Sequence, residues 1–257
     1  MLILEYHSVS DRRTDALSVS PAMLTRQIRH LRSHGYSIVP LSRIAQLAAG
    51  KLPDPDAREV AITFDDGYRD NFEEAFPILE EFSAPATIFL TLNYIGRVNP
   101  FPWDDHIDPT ACLPLTWKMV EKMVTSGIVE FGSHTNTHRD LTLLSQEDAW
   151  EEIQGSRERL EERLDLTVSS FCYPISRTSE CVKALVDRAG YTHACRTGAS
   201  GGDVFELPRV GIYRHTGWTE FKFKITRLGR GLRENPSLRR IGEAGRALIG
   251  RTGEGPS

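Results

Sequence analysis

The sequence predicts a parallel α/β barrel, on two observations. Strand-like and helix-like stretches alternate along the chain, and the residues able to do chemistry stand where strands end. Repeated β-then-α units place parallel strands inside a wrapping of helices. Reactive groups in such barrels sit at the C-terminal ends of the strands. A chain of 257 residues, 40% apolar and 26% charged, suits one soluble domain of this kind.

The elements follow in order. LILEY (2–6) opens as a strand. SPAMLTRQIRHLRSHG (20–35) reads as a helix: Ser20 caps it, Pro21 takes its first position, Leu24, Ile28 and Leu31 share a face, and Gly35 stops it. YSIVP (36–40) is a strand and SRIAQLAAG (42–50) a short helix. A strand over 59–65 precedes a helix over 69–82, bent at Pro77, and the strand ATIFL (86–90). A loop rich in Pro and aromatic residues spans 93–115. Helix 116–126, strand IVEFGS (128–133), helix 146–164 capped by Ser145 and strand VSSFCY (168–173) come next. Helix 179–189 and the strands YTHACR (191–196) and LPRVGIY (207–213) complete the pattern.

A barrel domain is therefore expected over 1–217, with a basic tail over 218–257. Residues 222–251 hold nine Lys or Arg against two Glu, although the whole chain carries a net charge of -4. If 236–250 is helical, its apolar and basic residues separate onto two faces. Such a helix suits peripheral contact with an anionic membrane, or docking on its own barrel. The overall charge gives no pull toward nucleic acid. Four cysteines without CxxC or zinc-finger spacing read as reduced and structural. The opening MLILEYHSVS has neither a basic n-region nor an apolar run long enough for export, so a cytoplasmic protein is expected.

Two strand ends carry the chemistry. AITFDDGYRD ends its strand on Asp65 and Asp66. An Asp-Gly turn alone accounts for that pair. EFGSHTNTH ends on His134, with His138 four residues later, and the turn explanation does not foresee it. If that segment turns helical, both imidazoles share a face and reach one metal. Joined by a carboxylate from another strand end they form a two-His, one-carboxylate site, suited to hydrolysis by metal-activated water. One aspartate can then bind the ion while its neighbour takes a proton.

With these motifs the chain resembles the polysaccharide deacetylases with a NodB-homology domain, carbohydrate esterase family four. TFDDG (63–67), SHTNTH (133–138) and SFCYPIS (170–176) carry the resemblance, which extends over roughly residues 2–215. It implies a distorted (β/α) barrel of about seven strands. It also implies N-deacetylation of an N-acetylated glycan or glycolipid, and one divalent ion, zinc first, with cobalt, nickel or iron as alternatives. Carried over, Asp65 is the catalytic base, and Asp66, His134 and His138 bind the metal. The family's late histidine acid is missing near the C-terminus, but ILEYHSV ends a strand on His7. This is similar to the circularly permuted branch, in which the acid-bearing strand comes first.

The third motif departs from the family. Cys172 stands where an Arg usually steadies the base, and Arg209 is the candidate substitute, against an ordinary surface ion pair. Ile175-Ser176 replaces Tyr-Gly; the resemblance implies that the backbone N–H at Ile175 serves the oxyanion, a role the changed side chain need not abolish. Tyr173 and Pro174 are expected beside the substrate. Trp103, in NPFPWDDHIDP, either stacks on a sugar or anchors its loop, and Asp104, Asp105 and His106 are candidates for binding hydroxyls. His193 and His215 read as structural. Two other functions fit less well: a non-catalytic carbohydrate-binding relative, and a hydrolase of a different non-peptide amide.

Overall fold

The structure is a computed structural model and describes residues 1–52, 58–198 and 203–226. The expected helix over 236–250 lies outside the described residues. β1 (Leu2–Tyr6) is buried throughout, although it contains Glu5. β2 (Ser8–Val9) and β3 (Ser18–Val19) form a two-residue parallel bridge just beyond it. α1 (Pro21–Ser33) starts as expected, with the Ser20 hydroxyl accepting from the Met23 N–H, and buries Leu24, Ile28 and Leu31. β4 (Tyr36–Ile38) and α2 (Leu41–Ala48) lead to β5 (Arg58–Phe64).

The segment expected as one bent helix over 69–82 is two pieces. A π-helical turn, Asn71–Ala75, runs into α3 (Phe76–Glu81), which places Pro77 in the first turn, where its missing N–H costs little. β6 (Ala86–Leu90), α4 (Trp117–Ser126), β7 (Val129–Ser133), α5 (Gln146–Leu164) and β8 (Ser170–Cys172) follow. α6 (Glu180–Arg188), β9 (His193–Thr197), β10 (Leu207–Gly211) and α7 (Trp218–Lys224) complete the described chain. Among the described residues, no helix is long and apolar enough to cross a membrane.

Seven strands close into a ring in the order β1, β10, β9, β8, β7, β6, β5 and back to β1, and β4 lies along the start of β5. Every pairing in the ring is parallel. Side chains alternate across a strand, so every second residue points into the barrel. Ile3, Ala61, Phe89, Cys172, Cys195 and Leu207 meet there, and α2 packs Leu41, Ile44 and Ala45 onto them. Leu2, Leu4, Ile62 and Phe64, one step away in parity, face the surrounding helices in a second and larger apolar cluster. The same parity carries the inward face onward along β1 to Glu5 and His7, along β5 to Thr63 and Asp65, and along β10 to Arg209. The interior thus passes from an apolar floor to a charged upper layer.

Candidate active site

The register of β1 and β5 brings the first site residues together. Tyr6 pairs with Phe64, and the Asp65 N–H donates to the Tyr6 carbonyl, so the ladder runs one residue past the strand. Asp65 therefore keeps the inward direction set by Ala61 and Thr63. At Asp66 the backbone turns left-handed, with φ +70°, followed by Gly67 at +86°. A Cβ at Gly67 would come within 2.7 Å of a Leu90 methyl, so only glycine fits that position. This turn lets the second carboxylate swing back toward the cavity instead of pointing out of the barrel.

Arg209 fixes Asp65. The guanidinium donates to both carboxylate oxygens at 2.6 Å and lies 3.4 Å from Glu5. Arg209 is 2% exposed and Asp65 3%. Burial alone would raise the Asp65 pKa, but the bidentate Arg209 contact outweighs it and holds the group well below the usual carboxylate range. Cys172 adds its thiol, 3.6 Å from Asp65 and 3.0 Å from Arg209, and burial pushes that thiol far up, so it stays protonated. His7 Nε2 lies 4.0 Å from Asp65, and its Nδ1 is buried without a hydrogen-bond partner. The loop behind it is clamped: Asn71 donates to the His7 carbonyl, and Asp70 accepts from Ser8 and from the Val9 N–H.

The second cluster is built differently from the expected helical turn. Residues 134–138 form an irregular loop in which Thr135 (φ +68°) and His138 (φ +61°) are left-handed. Those two reversals bring the imidazoles together, with ring centres 4.8 Å apart. The loop is heavily tied. Glu152 of α5 accepts from the N–H groups of Asn136 and Thr137, Thr135 Oγ1 accepts from the His138 N–H, and Ser133 Oγ accepts from the Thr135 N–H. Such over-determination is what holds non-glycine residues in sparsely populated backbone regions.

His134 Nδ1 donates to the Cys172 carbonyl at 2.8 Å, which leaves the Nε2 lone pair facing Asp66. Burial pushes its pKa down to about 4, so the ring is neutral near pH 7. Asp66 Oδ1 lies 3.7 Å from His134 Nε2 and 3.6 Å from His138 Nε2. That oxygen is buried and has no hydrogen-bond partner. Three donor atoms each about 2.0–2.2 Å from a tetrahedral ion would lie roughly 3.3–3.6 Å apart, close to this spacing. The Asp66, His134, His138 set therefore fits a divalent cation. Two other groupings share the required closeness, Asp65 with His134 and Cys172, and Glu5 with His7 and Asp65. In both, Asp65 is already committed to Arg209.

The remaining expected residues are placed unevenly. Ile175 and Ser176 are left-handed at φ +48° and +56°, and the Ile175 side chain is 55% exposed. A β-branched residue in that region is a genuine outlier. The loop is pinned by Ser176 Oγ, which accepts from the Thr197 N–H. Tyr173 and Pro174 are buried, and the Tyr173 hydroxyl donates to the Phe205 carbonyl. The Tyr173 side chain is thereby tied to the segment at Phe205. Asp104 is 1% exposed and bound to Arg13 and Tyr68, so it is not available to a sugar hydroxyl. Trp103 lies against His138, ring centres 4.5 Å apart. His193 is buried, its pKa pushed down to about 4, as suits a structural residue. Sequence reasoning missed Glu5, Glu152 and the Arg13–Asp104 pair. Of these only Glu5 carried a signal, a lone charge inside an apolar strand.

A family model described as polysaccharide deacetylase matches residues 53–194, more than half of the chain. The chain belongs to the polysaccharide deacetylases. These are hydrolases acting on non-peptide carbon–nitrogen bonds. Among relatives of the deacetylase, YxkH of Bacillus subtilis (strain 168) is 28% identical over 215 residues, which is 82% of this chain and 70% of YxkH. The poly-β-1,6-N-acetyl-D-glucosamine N-deacetylase of Escherichia coli (strain K12) is 31% identical over 140 residues, 52% of this chain but only 20% of that protein. IcaB from Ammonifex degensii has the same fold: TM-score 0.75 at 23% identity, covering 85% of this chain and 94% of that one.

Proposed function

We propose that the deacetylase removes the N-acetyl group from an amino sugar in a glycan or glycolipid, with a divalent ion held by Asp66, His134 and His138. The observation that carries this reading is the unpartnered, buried Asp66 Oδ1 between two imidazole nitrogens, beside a second aspartate held ionised by Arg209. Zinc suits two imidazoles and a carboxylate, and cobalt, nickel or iron suit them too. When bound, the ion supplies Lewis acidity, polarising the acetyl carbonyl and lowering the pKa of an attacking water.

The chain's own residues do the rest. Asp65, kept ionised by Arg209, accepts the proton of the attacking water. His7, at the end of β1 and within 4.0 Å of Asp65, delivers a proton to the leaving amine. We read β1 as the acid-bearing strand of a permuted barrel, because it closes the ring between β5 and β10. The N–H of Ile175 donates to the oxyanion, and its left-handed backbone suits a group oriented in advance. The names of the Escherichia coli relative and of a Staphylococcus aureus one (25% identical over 194 residues) make β-linked poly-N-acetylglucosamine the substrate class to try first.

Acetate release from N-acetylglucosamine oligomers, measured beside metal content, tests the roles. Asp65→Asn and His7→Ala should each lower turnover about 10²–10⁴-fold with metal retained. Asp66→Asn should lose metal and activity together. Near-full turnover by Asp65→Asn, or undiminished metal in the double variant His134→Ala/His138→Ala, would overturn the reading.

A further inference from the structure

We propose that Trp103 is a positioning residue for His138, held by a hydrogen-bonded chain that begins at buried Arg13. The inference rests on the metal reading above. His134 has its ring orientation set by the Cys172 carbonyl. His138 lacks any such bond: among the described residues its ring makes no hydrogen bond, its backbone is left-handed, and its side chain is 17% exposed. A metal-binding histidine ordinarily has an outer partner that fixes its ring, and removing that partner weakens metal binding. The indole of Trp103 takes this place at His138, tilted 34° to the imidazole at 4.5 Å.

The indole is itself fixed. Phe101 stacks on it at 4.8 Å, Tyr94 meets it edge-on at 5.3 Å, and its Nε1–H donates to the Tyr68 hydroxyl at 3.1 Å. Tyr68 donates onward to Asp104 at 2.8 Å, and Arg13 grips Asp104 at 2.8 and 3.1 Å while lying over the Tyr68 ring. Arg13, Tyr68 and Asp104 are each at most 1% exposed. Tyr68 directly follows the Asp65-Asp66-Gly67 turn, so one buried network ties the long loop, the carboxylate turn and the second imidazole together. Phe101, Tyr94 and His138 already contact the half-buried indole. On this reading it orients the ligand and is not a platform for sugar.

The test compares full-length wild type with Trp103→Phe, which keeps a ring, and Trp103→Leu, which keeps bulk without one. Zinc affinity is measured by competition with a chromophoric chelator. Trp103→Leu should bind zinc about 10–100-fold more weakly, and Trp103→Phe, which keeps a ring but loses the Nε1–H bond to Tyr68, should fall between it and wild type. Melting of the metal-free proteins measures the general packing loss, and zinc should raise the melting temperature of wild type more than that of Trp103→Leu. Cobalt titrated into wild type should quench tryptophan emission, and most of that quench should vanish in Trp103→Phe. These emission readings stand even if Trp103→Leu does not fold. Unchanged emission on cobalt binding overturns the proposal. So does wild-type zinc affinity in Trp103→Leu combined with a raised KM for N-acetylglucosamine oligomers, which would make Trp103 the sugar platform. His138→Ala is the control: if it loses zinc while Trp103→Leu does not, only this inference falls. If wild type binds no zinc or cobalt, the metal reading falls and takes the inference with it.

Discussion

Arg209 faces two carboxylates at once, Asp65 through two hydrogen bonds and Glu5 at 3.4 Å, and all three groups are buried. Removing one member of a buried ionic group leaves charge uncompensated and typically costs about 3–5 kcal/mol. Arg209→Met should therefore destabilise the fold by that order in denaturant titrations. It should also change the pH profile, and the sign follows from the depressed pKa of Asp65. A depressed carboxylate stabilises the fold above its unfolded pKa and loses that contribution as pH falls through its folded one. With the cation gone the Asp65 pKa rises, so the acid limb of kcat/KM should move to higher pH. An unmoved limb would mean that another group sets it. Arg209 was open to a sequence reading because it stands inside a strand, in LPRVGIY. Its partner Glu5 passed unnoticed, since nothing in LILEY says which charge it meets across the barrel.

At the scale of elements, the strands were legible because their apolar runs are long and their ends carry marked residues: Asp65 and Asp66 after β5, His134 after β7, His7 after β1. The turns between them were not. The route from His134 to His138 uses left-handed residues that no propensity encodes, braced by Glu152 from the next helix. Likewise the 93–115 loop is anchored by Arg13, 91 residues away from Asp104 in sequence. The π-helical turn after β5 holds a testable group of this sort. Burial pushes the Asp70 carboxyl up to about 6, although Ser8, the Val9 N–H and Asn71 all donate to it. Between the unfolded value of about 3.9 and that folded value the native state binds more protons, so this group's contribution to stability falls as pH rises. Two pKa units correspond to about 3 kcal/mol. Asp70→Asn keeps an acceptor for Val9 and carries no charge. Relative to wild type it should gain roughly 2 kcal/mol of stability as pH rises from 4 to 6.5. A wild-type-minus-variant difference that does not change with pH would refute the assignment.

The barrel as a whole closes where its first and last strands meet. β1 lies between β5 and β10, and the chain leaving β10 runs through α7 back against α1. α7 is short, but its contacts are not those of a tail. Phe221 and Ile225 are buried in the main apolar cluster, and Trp218 packs against His30 with Arg26 over its ring. Tyr36 donates to the Ile225 carbonyl, and Lys224 donates to the Gly211 carbonyl and the Thr216 hydroxyl. The last expected strand and the run of charge behind it set the expected tail boundary at 218, and neither reports which apolar residues between the basic ones find a partner. Fully burying a Phe or Ile side chain is worth about 1.5–3 kcal/mol. A chain ending after residue 217 forfeits two such side chains and the indole. It should lose several kcal/mol, lowering the melting temperature by about 10 °C or more at this size. A chain ending after residue 226 keeps every one of these contacts. It should melt above the chain that ends after residue 217 and still release acetate from a short soluble oligomer. If both truncations melt together at the full-length temperature, α7 adds nothing to the barrel, and the unit that folds ends at residue 217.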